Sequence, residues 1–272
     1  MDAKTFGKFR DLIYQKSGIT LGPGKESLVS ARVAKRLRAL KMNDYREYLN
    51  MLSREDSDDE IIHLIDVIST NVTHFFREPD HFDLLVQLMQ QWYDQGQRRF
   101  RIWSAACSSG EEPYSIAMTV AEHFDVNVCD IKILATDIST RVLDASAKGI
   151  YEQHKIENIP APLRQTYFQR AGSNGSTTYV ASDTLKRLIL FRRLNLSQPP
   201  FPMRGPLDVV FCRNVMIYFD NQVRAQLLRE IHKLLRPGGY LIVGHTESLT
   251  GVVNEFKGIK PSLFVKPGRR NA

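Results

Sequence analysis

The chain has 272 residues, 43% of them hydrophobic and 25% charged, with glycine and proline at background levels. That length suits one large domain, or a small domain joined to a larger one, with a core that needs no disulfide or metal staple. No apolar run approaches the roughly 20 residues of a membrane span, and no hydrophobic stretch follows Met1, so neither membrane insertion nor a secretory leader is expected. Cys107, Cys129 and Cys212 are odd in number, far apart and without CxxC spacing. They argue against a disulfide framework or zinc site and fit a reducing, cytoplasmic compartment. The net charge of +7 is concentrated at one end: residues 1–54 hold twelve Lys and Arg against five Asp and Glu, and the rest balances. A basic module on a neutral body points to an acidic partner.

In chain order, the first seventy residues read as helices. From Lys25 to Lys41, Val29, Val33, Leu37 and Leu40 recur at helical spacing on one face. Lys25, Arg32, Lys35, Arg36 and Arg38 lie around the other side, undiluted by any comparable number of acids, and are the candidate docking residues. Gly22-Pro23-Gly24 breaks the chain before this helix. Asp44 to Leu52 and Asp58 to Thr70 read as two more helices. The expected division is a helical domain over 1–75 and a second domain over 76–272.

From Phe100 strands and helices alternate. Strand candidates are Phe100–Ala105, Ile131–Thr136, Leu188–Leu194, Leu207–Cys212 and Tyr240–Gly244, with helical patterns at Pro113–Phe124, Thr140–Lys148 and Asn221–Leu235. This is α/β texture, a mostly parallel sheet covered by helices on both faces. Residues 149–184 exceed what a crossover needs. With Pro160, Pro162, a turn-rich Ala171 to Ser176 and a strand-like Thr177–Val180, they read as an inserted, hairpin-bearing β-subdomain.

The chemistry concentrates at strand ends. The first strand runs into six small residues, Ala105 to Gly110, and then Glu111, Glu112 and Pro113 open a helix. Small residues there let a ligand approach the backbone at the carboxyl edge of the sheet. The GxGxxG dinucleotide fingerprint is absent, and acids at this turn suit an amino-bearing ligand better than a pyrophosphate. Asp137 ends the second strand, where an acid can take the two hydroxyls of a ribose. The strand Leu207–Cys212 delivers Arg213, Asn214 and Tyr218 to the same edge. Pro237-Gly238-Gly239 before a late strand is a turn typical of Rossmann-like S-adenosylmethionine-dependent methyltransferases.

At this point the chain resembles the chemotaxis receptor methyltransferases, which esterify glutamate side chains of chemoreceptors. The resemblance rests on Thr70 to Glu78, Trp103 to Ser115, Ala135 to Ser139, Asn195-Leu196, Cys212 to Phe219 and Gly238 to Glu247, in order, and covers about residues 5 to 266. Cys107 and Thr246 are mild departures. The resemblance implies that Asn71, Thr73 and Arg77 meet the methionine end of S-adenosylmethionine, with Arg77 on its carboxylate and Glu111 near its amino end. It implies that Asp137 holds the ribose, that Asn195 and Leu196 flank the adenine, and that Arg213, Asn214 and Tyr218 close the pocket beside the reacting methyl. The product would be S-adenosylhomocysteine, and Arg77 and Tyr218 would orient the reacting groups. The implied partner is the acidic helical methylation region of chemoreceptor cytoplasmic domains; a receptor C-terminal tail peptide on the β-subdomain and a regulatory adaptor protein are both left open, since family members differ in whether they use such a tether.

The chemistry agrees with these residue types. A substrate carboxylate with a pKa of about 4.3 is already ionised at neutral pH, so no general base is needed. No Ser/His/Asp or Cys/His constellation is evident. His74, His81, His232 and His245 make no convincing metal set and are assigned to structure. A nucleic-acid substrate is disfavoured, because Cys212-Arg-Asn-Val stands where amine-directed enzymes carry an Asn/Asp-Pro-Pro-Tyr motif. A non-catalytic adaptor is disfavoured by the intact loop, Asp137 and Arg77.

Overall fold

The structure, a computed structural model, describes residues 1–22, 24–54, 57–68, 72–172, 177–249, 251–252 and 255–268. Four helices open the chain: α1 (Ala3–Ser17), α2 (Glu26–Ala39), α3 (Tyr45–Leu52) and α4 (Asp58–Ile68). The Asp2 side chain accepts the Thr5 N–H at 2.7 Å and starts α1, and Gly18, left-handed at φ 70°, ends it. The expected apolar face of α2 is the buried one: Val29, Val33 and Leu37 pack with Phe9 and Ile13 of α1, Tyr48 of α3 and Leu64 of α4.

Then follow α5 (Asp80–Asp94), β1 (Arg99–Ala105), α6 (Glu111–His123), β2 (Asp130–Asp137), α7 (Thr140–Lys148), β3 (Ile150–Glu152), α8 (Gln153–Ile156), α9 (Ala161–Tyr167), β4 (Phe168–Ala171), β5 (Thr178–Ala181), α10 (Asp183–Lys186), β6 (Ile189–Arg193) and β7 (Leu207–Cys212). A 3-10 turn (Met216–Tyr218), α11 (Asn221–Leu234), β8 (Leu235–Val243), β9 (Lys257–Lys260) and β10 (Leu263–Val265) complete it. The main sheet has the order β6-β2-β1-β7-β8-β10-β9, parallel from β6 to β8 and antiparallel at β10. Period-2 alternation divides its side chains between two cores. Phe100, Ile102, Val209 and Phe211 face Phe82, Leu85 and Met89 of α5 and Met118 of α6. Trp103, Val210 and Leu241 face Leu227, Leu228 and Ile231 of α11. This is the α/β architecture expected, a mostly parallel sheet with helices on both faces.

Three features were not anticipated. Helix α5 occupies a stretch that the sequence reading left without an element, and β9 and β10 extend the sheet past its expected last strand. The insertion is a three-stranded sheet, order β3-β5-β4, rather than a hairpin alone. The Pro-Gly-Gly turn lies inside β8: Leu235 stands opposite Leu207 but Tyr240 opposite Val209, so the turn bulges out between them.

The helical domain is fastened to the sheet domain beside the sheet's carboxyl edge. Asn195 Nδ2 donates to the Lys16 carbonyl at 2.7 Å, the Thr20 N–H to the Tyr218 carbonyl at 2.8 Å, and Tyr14 Oη to Asp220 Oδ2 at 2.6 Å. Among the described residues no helix is long and apolar enough to cross a membrane.

Candidate active site

Strand order reverses at β1, which has β2 on one side and β7 on the other. Ligands of open α/β sheets bind at such a switch point, outside the carboxyl ends of the strands. A cleft opens there, walled by Ser17, 19–21 and Lys25 of the helical domain, 72–74 and Arg77, 106–108, 194–196, 213–215 and 218–219.

The loop after β1 is held in an unusual backbone: Ala106, Ser108 and Gly110 have φ of 68°, 49° and 94°. A Cβ on Gly110 would lie 2.8 Å from Tyr151 Oη and 2.9 Å from Ser146 Cβ, so glycine is required where α7 and the β-subdomain press on the loop. The small residues therefore do two jobs. Ala106, Cys107 and Ser108 line the cleft, while Ser109 and Gly110 turn away toward Tyr151.

Asp137 reaches this loop from the end of β2. Its Oδ2 accepts the Ser108 N–H at 2.9 Å and its Oδ1 the Ser139 N–H at 3.0 Å. Burial pushes its carboxyl up against these two hydrogen bonds. A buried acid with two donors and a face on the cleft is suited to hydroxyl donors from a ligand.

The two adjacent glutamates point different ways. Glu111, expected near the ligand's amino end, is fully buried but does not line the cleft. Its carboxylate takes Ser109 Oγ at 2.6 Å and Lys155 Nζ at 3.3 Å, on the β-subdomain side. Glu112 is the one that lines the cleft, holding Ser104 Oγ at 2.7 Å and Arg213 Nη1 at 3.1 Å. The reason is helical geometry: successive residues of α6 are about 100° apart, so only one of them can face the sheet edge. Burial raises the Glu112 carboxyl, and the Arg213 charge works against that rise.

Arg213 is the hub. Its side chain is 1% exposed and pairs with Glu112, with Glu78 Oε2 at 3.0 Å and with the Arg77 carbonyl. Sequence reasoning quoted Glu78 within a motif and gave it no role, yet it ties the 72–78 segment to β7. Glu247 was likewise missed. Its carboxylate accepts the N–H groups of Asn214, Val215, Met216 and Gly244 at 2.7 to 3.1 Å and so shapes the turn that carries Tyr218. A lone acid shortly after a strand is the signal that could have found it.

Thr73, Arg77, Asp137, Asn195, Leu196, Arg213, Asn214 and Tyr218 all border the cleft, and Asn71 lies outside the described residues. Asn195 spends its side chain on the Lys16 carbonyl and on the N–H and hydroxyl of Ser197, which leaves it a wall-forming part. The docking residues divide as well. Lys25, Lys35 and Arg38 are exposed. Arg36 forms a two-pronged pair with Glu60, which also accepts the Tyr48 hydroxyl at 2.6 Å, and Arg32 donates to the Ile68 carbonyl. Both of these arginines knit α2 to α4, which commits their guanidinium groups to partners within the domain.

The chain matches two family domains: the CheR methyltransferase all-alpha domain over residues 4–69 and the CheR methyltransferase SAM binding domain over 71–265. It belongs to the CheR methyltransferase family. Similar curated proteins include "Chemotaxis protein methyltransferase 2" of Pseudomonas aeruginosa, 41% identical over 95% of this chain and 91% of that one. The chain is also 37% identical to the chemotaxis protein methyltransferase of Borreliella burgdorferi, over 94% and 91% of the two chains, and 38% identical to that of Escherichia coli, over 92% and 86%. The protein is an S-adenosylmethionine-dependent methyltransferase. The cleft fits that cofactor on its own chemistry: buried Asp137 offers acceptors for ribose hydroxyls, Glu112 an anion for an amino group, Arg77 a cation for a carboxylate, and Leu194 and Leu196 apolar surface for a base. Burial holds the Cys107 thiol well above its ordinary range, so it lines the cleft as a neutral group.

Proposed function

We propose that the protein transfers a methyl group to glutamate side-chain carboxylates of chemoreceptor cytoplasmic domains, forming the methyl esters that adjust chemotactic signalling. The observation that carries this reading is the cleft at the carboxyl edge of the sheet, bordered by the exposed Lys25 of a helical domain matched to the same family. Bound S-adenosylmethionine supplies a methyl group on an already activated sulfonium. The acceptor is an ionised carboxylate, so the protein's task is to hold the reacting atoms in line and exclude water.

Each wall has a part in that task. Asp137 takes the ribose, Leu194 and Leu196 cover the base, and Glu112, in place of Glu111, receives the amino group. Arg77 takes the cofactor carboxylate. Arg213, locked between Glu78 and Glu112, fixes the segment that presents Arg77. Tyr218, on the Glu247-shaped turn, orients the acceptor. Lys25, at the mouth, with Lys35 and Arg38 further along α2, would draw an acidic receptor helix toward the cleft.

The outer strands of the β3-β5-β4 sheet leave edges on which a receptor C-terminal tail peptide can add as a further strand. Such a tether would raise the enzyme's local concentration near neighbouring receptors. Calorimetric titration with a tail peptide tests this, and an absence of heat at high peptide concentration removes it. The function itself is tested by incubating the protein with a receptor cytoplasmic fragment and mapping the added methyl by mass spectrometry. Modification confined to glutamates supports the reading; modification of amines or of no receptor residue opposes it.

A further inference from the structure

The most conspicuous polar group outside the cleft is His81, the second residue of α5. It is 2% exposed, and neither ring nitrogen has a hydrogen-bond partner. Buried polar groups are satisfied in nearly every case, and an orphan calls for a ligand, water or ion. Its surroundings fit one of these. Glu78 Oε2 lies 3.4 Å from His81 Nδ1, and Asp80 Oδ2 lies 3.9 Å from His81 Nε2. His245, arriving from the loop after β8, sets its ring edge-on with a centroid separation of 4.9 Å. One ligand atom each from Glu78, His81 and His245 falls within 4.8 Å of the others.

We propose that Glu78, His81 and His245 form a binding site for one borderline divalent cation, with zinc as the best-matched ion. Two imidazoles and a carboxylate select zinc over magnesium or calcium, which prefer all-oxygen sets. Zinc sits about 2.0–2.2 Å from nitrogen and oxygen ligands, so they must close by roughly 1 Å, a movement the half-exposed His245 can make by rotation. Asp80, 3.2 Å from His245 Nε2, is placed to orient that ring from behind. The cation would clamp the start of α5 to the loop carrying Glu247. The site departs from the expectation that these histidines are structural, because His81 and His245 meet only through the fold.

The test uses the full, untagged chain with zinc chloride as the probe. Buried Cys107, Cys129 and Cys212 are poor competitors for the ion. Calorimetry is expected to show one saturable zinc site, and thermal melting a rise that a chelator reverses, since an ion bound only to the folded state stabilises it. Millimolar magnesium should do neither. His245→Ala removes an exposed side chain and keeps the backbone, so it should lose the zinc site and retain S-adenosylhomocysteine affinity. Absence of saturable zinc binding to the wild-type chain overturns the proposal. So does binding that survives His245→Ala, which would place the ion on other surface histidines.

Discussion

Gly18→Ala is the sharpest perturbation of the cleft made from outside it. Gly18 ends α1 at φ 70°, with its N–H on the Tyr14 carbonyl at 2.7 Å. A Cβ there would stand 2.5 Å from Ser197 Cβ and 3.3 Å from Val223 Cγ1. Left-handed backbone costs a non-glycine residue about 1–2 kcal/mol. Forcing a methyl into packed surroundings adds about 1–3 kcal/mol. Ser197 cannot retreat cheaply, because Asn195 holds both its N–H and its hydroxyl while gripping the Lys16 carbonyl. The strain is relieved by parting the helical domain from residues 195–197, and both sides of that joint wall the cleft. Every 1.4 kcal/mol spent on parting them weakens cofactor binding about tenfold. Calorimetry with S-adenosylhomocysteine should therefore show an affinity loss of about 10-fold or more, accompanied by a lower melting temperature. Gly22→Ala is the control, since nothing lies within 4 Å of its Cβ and binding should not change. If Gly18→Ala bound within about twofold of wild type, the coupling between the domain joint and the cleft would be refuted.

Further outcomes are expected. Glu112→Gln should weaken S-adenosylhomocysteine binding about 10-fold or more, as losing a charged hydrogen-bond partner does, while Glu111→Gln leaves it unchanged; equal effects would refute the different orientations of the two acids. Arg77→Ala and Tyr218→Phe should both lower turnover, Arg77→Ala with weaker cofactor binding and Tyr218→Phe without it, and unchanged kinetics in both would remove their assigned roles. Burial alone would raise Glu60, but hydrogen bonds from Arg36 and Tyr48 outweigh it and hold its carboxyl below the ordinary 4.5. That stability is present above pH 4.5 and lost as pH falls through the lowered value, so the melting-temperature gap between wild type and Glu60→Gln should be constant at neutral pH and close in acid. Turnover on receptor substrate should fall with added salt and in Lys35→Glu and Arg38→Glu, because exposed charges act over a screening length of about 8–10 Å. A salt-independent rate would remove the steering role of α2.

Much of the site was legible because local chemistry and fold agree there. The small-residue loop, Asp137 and the Arg213–Tyr218 stretch lie at strand ends, and strand ends are visible in short apolar runs such as Leu207–Cys212. What escaped depended on distance in the chain or on rotation about a helix. Glu111 and Glu112 are interchangeable in sequence, and the direction of α6 against the sheet separates them. Arg32 and Arg36 look like part of a solvated basic face until Ile68 and Glu60 are brought against them. The joining of His81 to His245 and of Glu78 to Arg213 is long-range in the same way. Helix α5 was legible too, since Phe82, Leu85, Met89 and Trp92 recur at helical spacing and are buried, but that stripe was not marked from the sequence.

The most direct measurement uses methyl-labelled S-adenosylmethionine, the purified protein and a chemoreceptor cytoplasmic fragment, scoring label released as methanol by mild base. Label that enters the receptor and leaves as methanol is the expected result, since a glutamate methyl ester is base-labile. Base-stable label on the receptor would contradict the carboxylate acceptor and move the transfer to nitrogen.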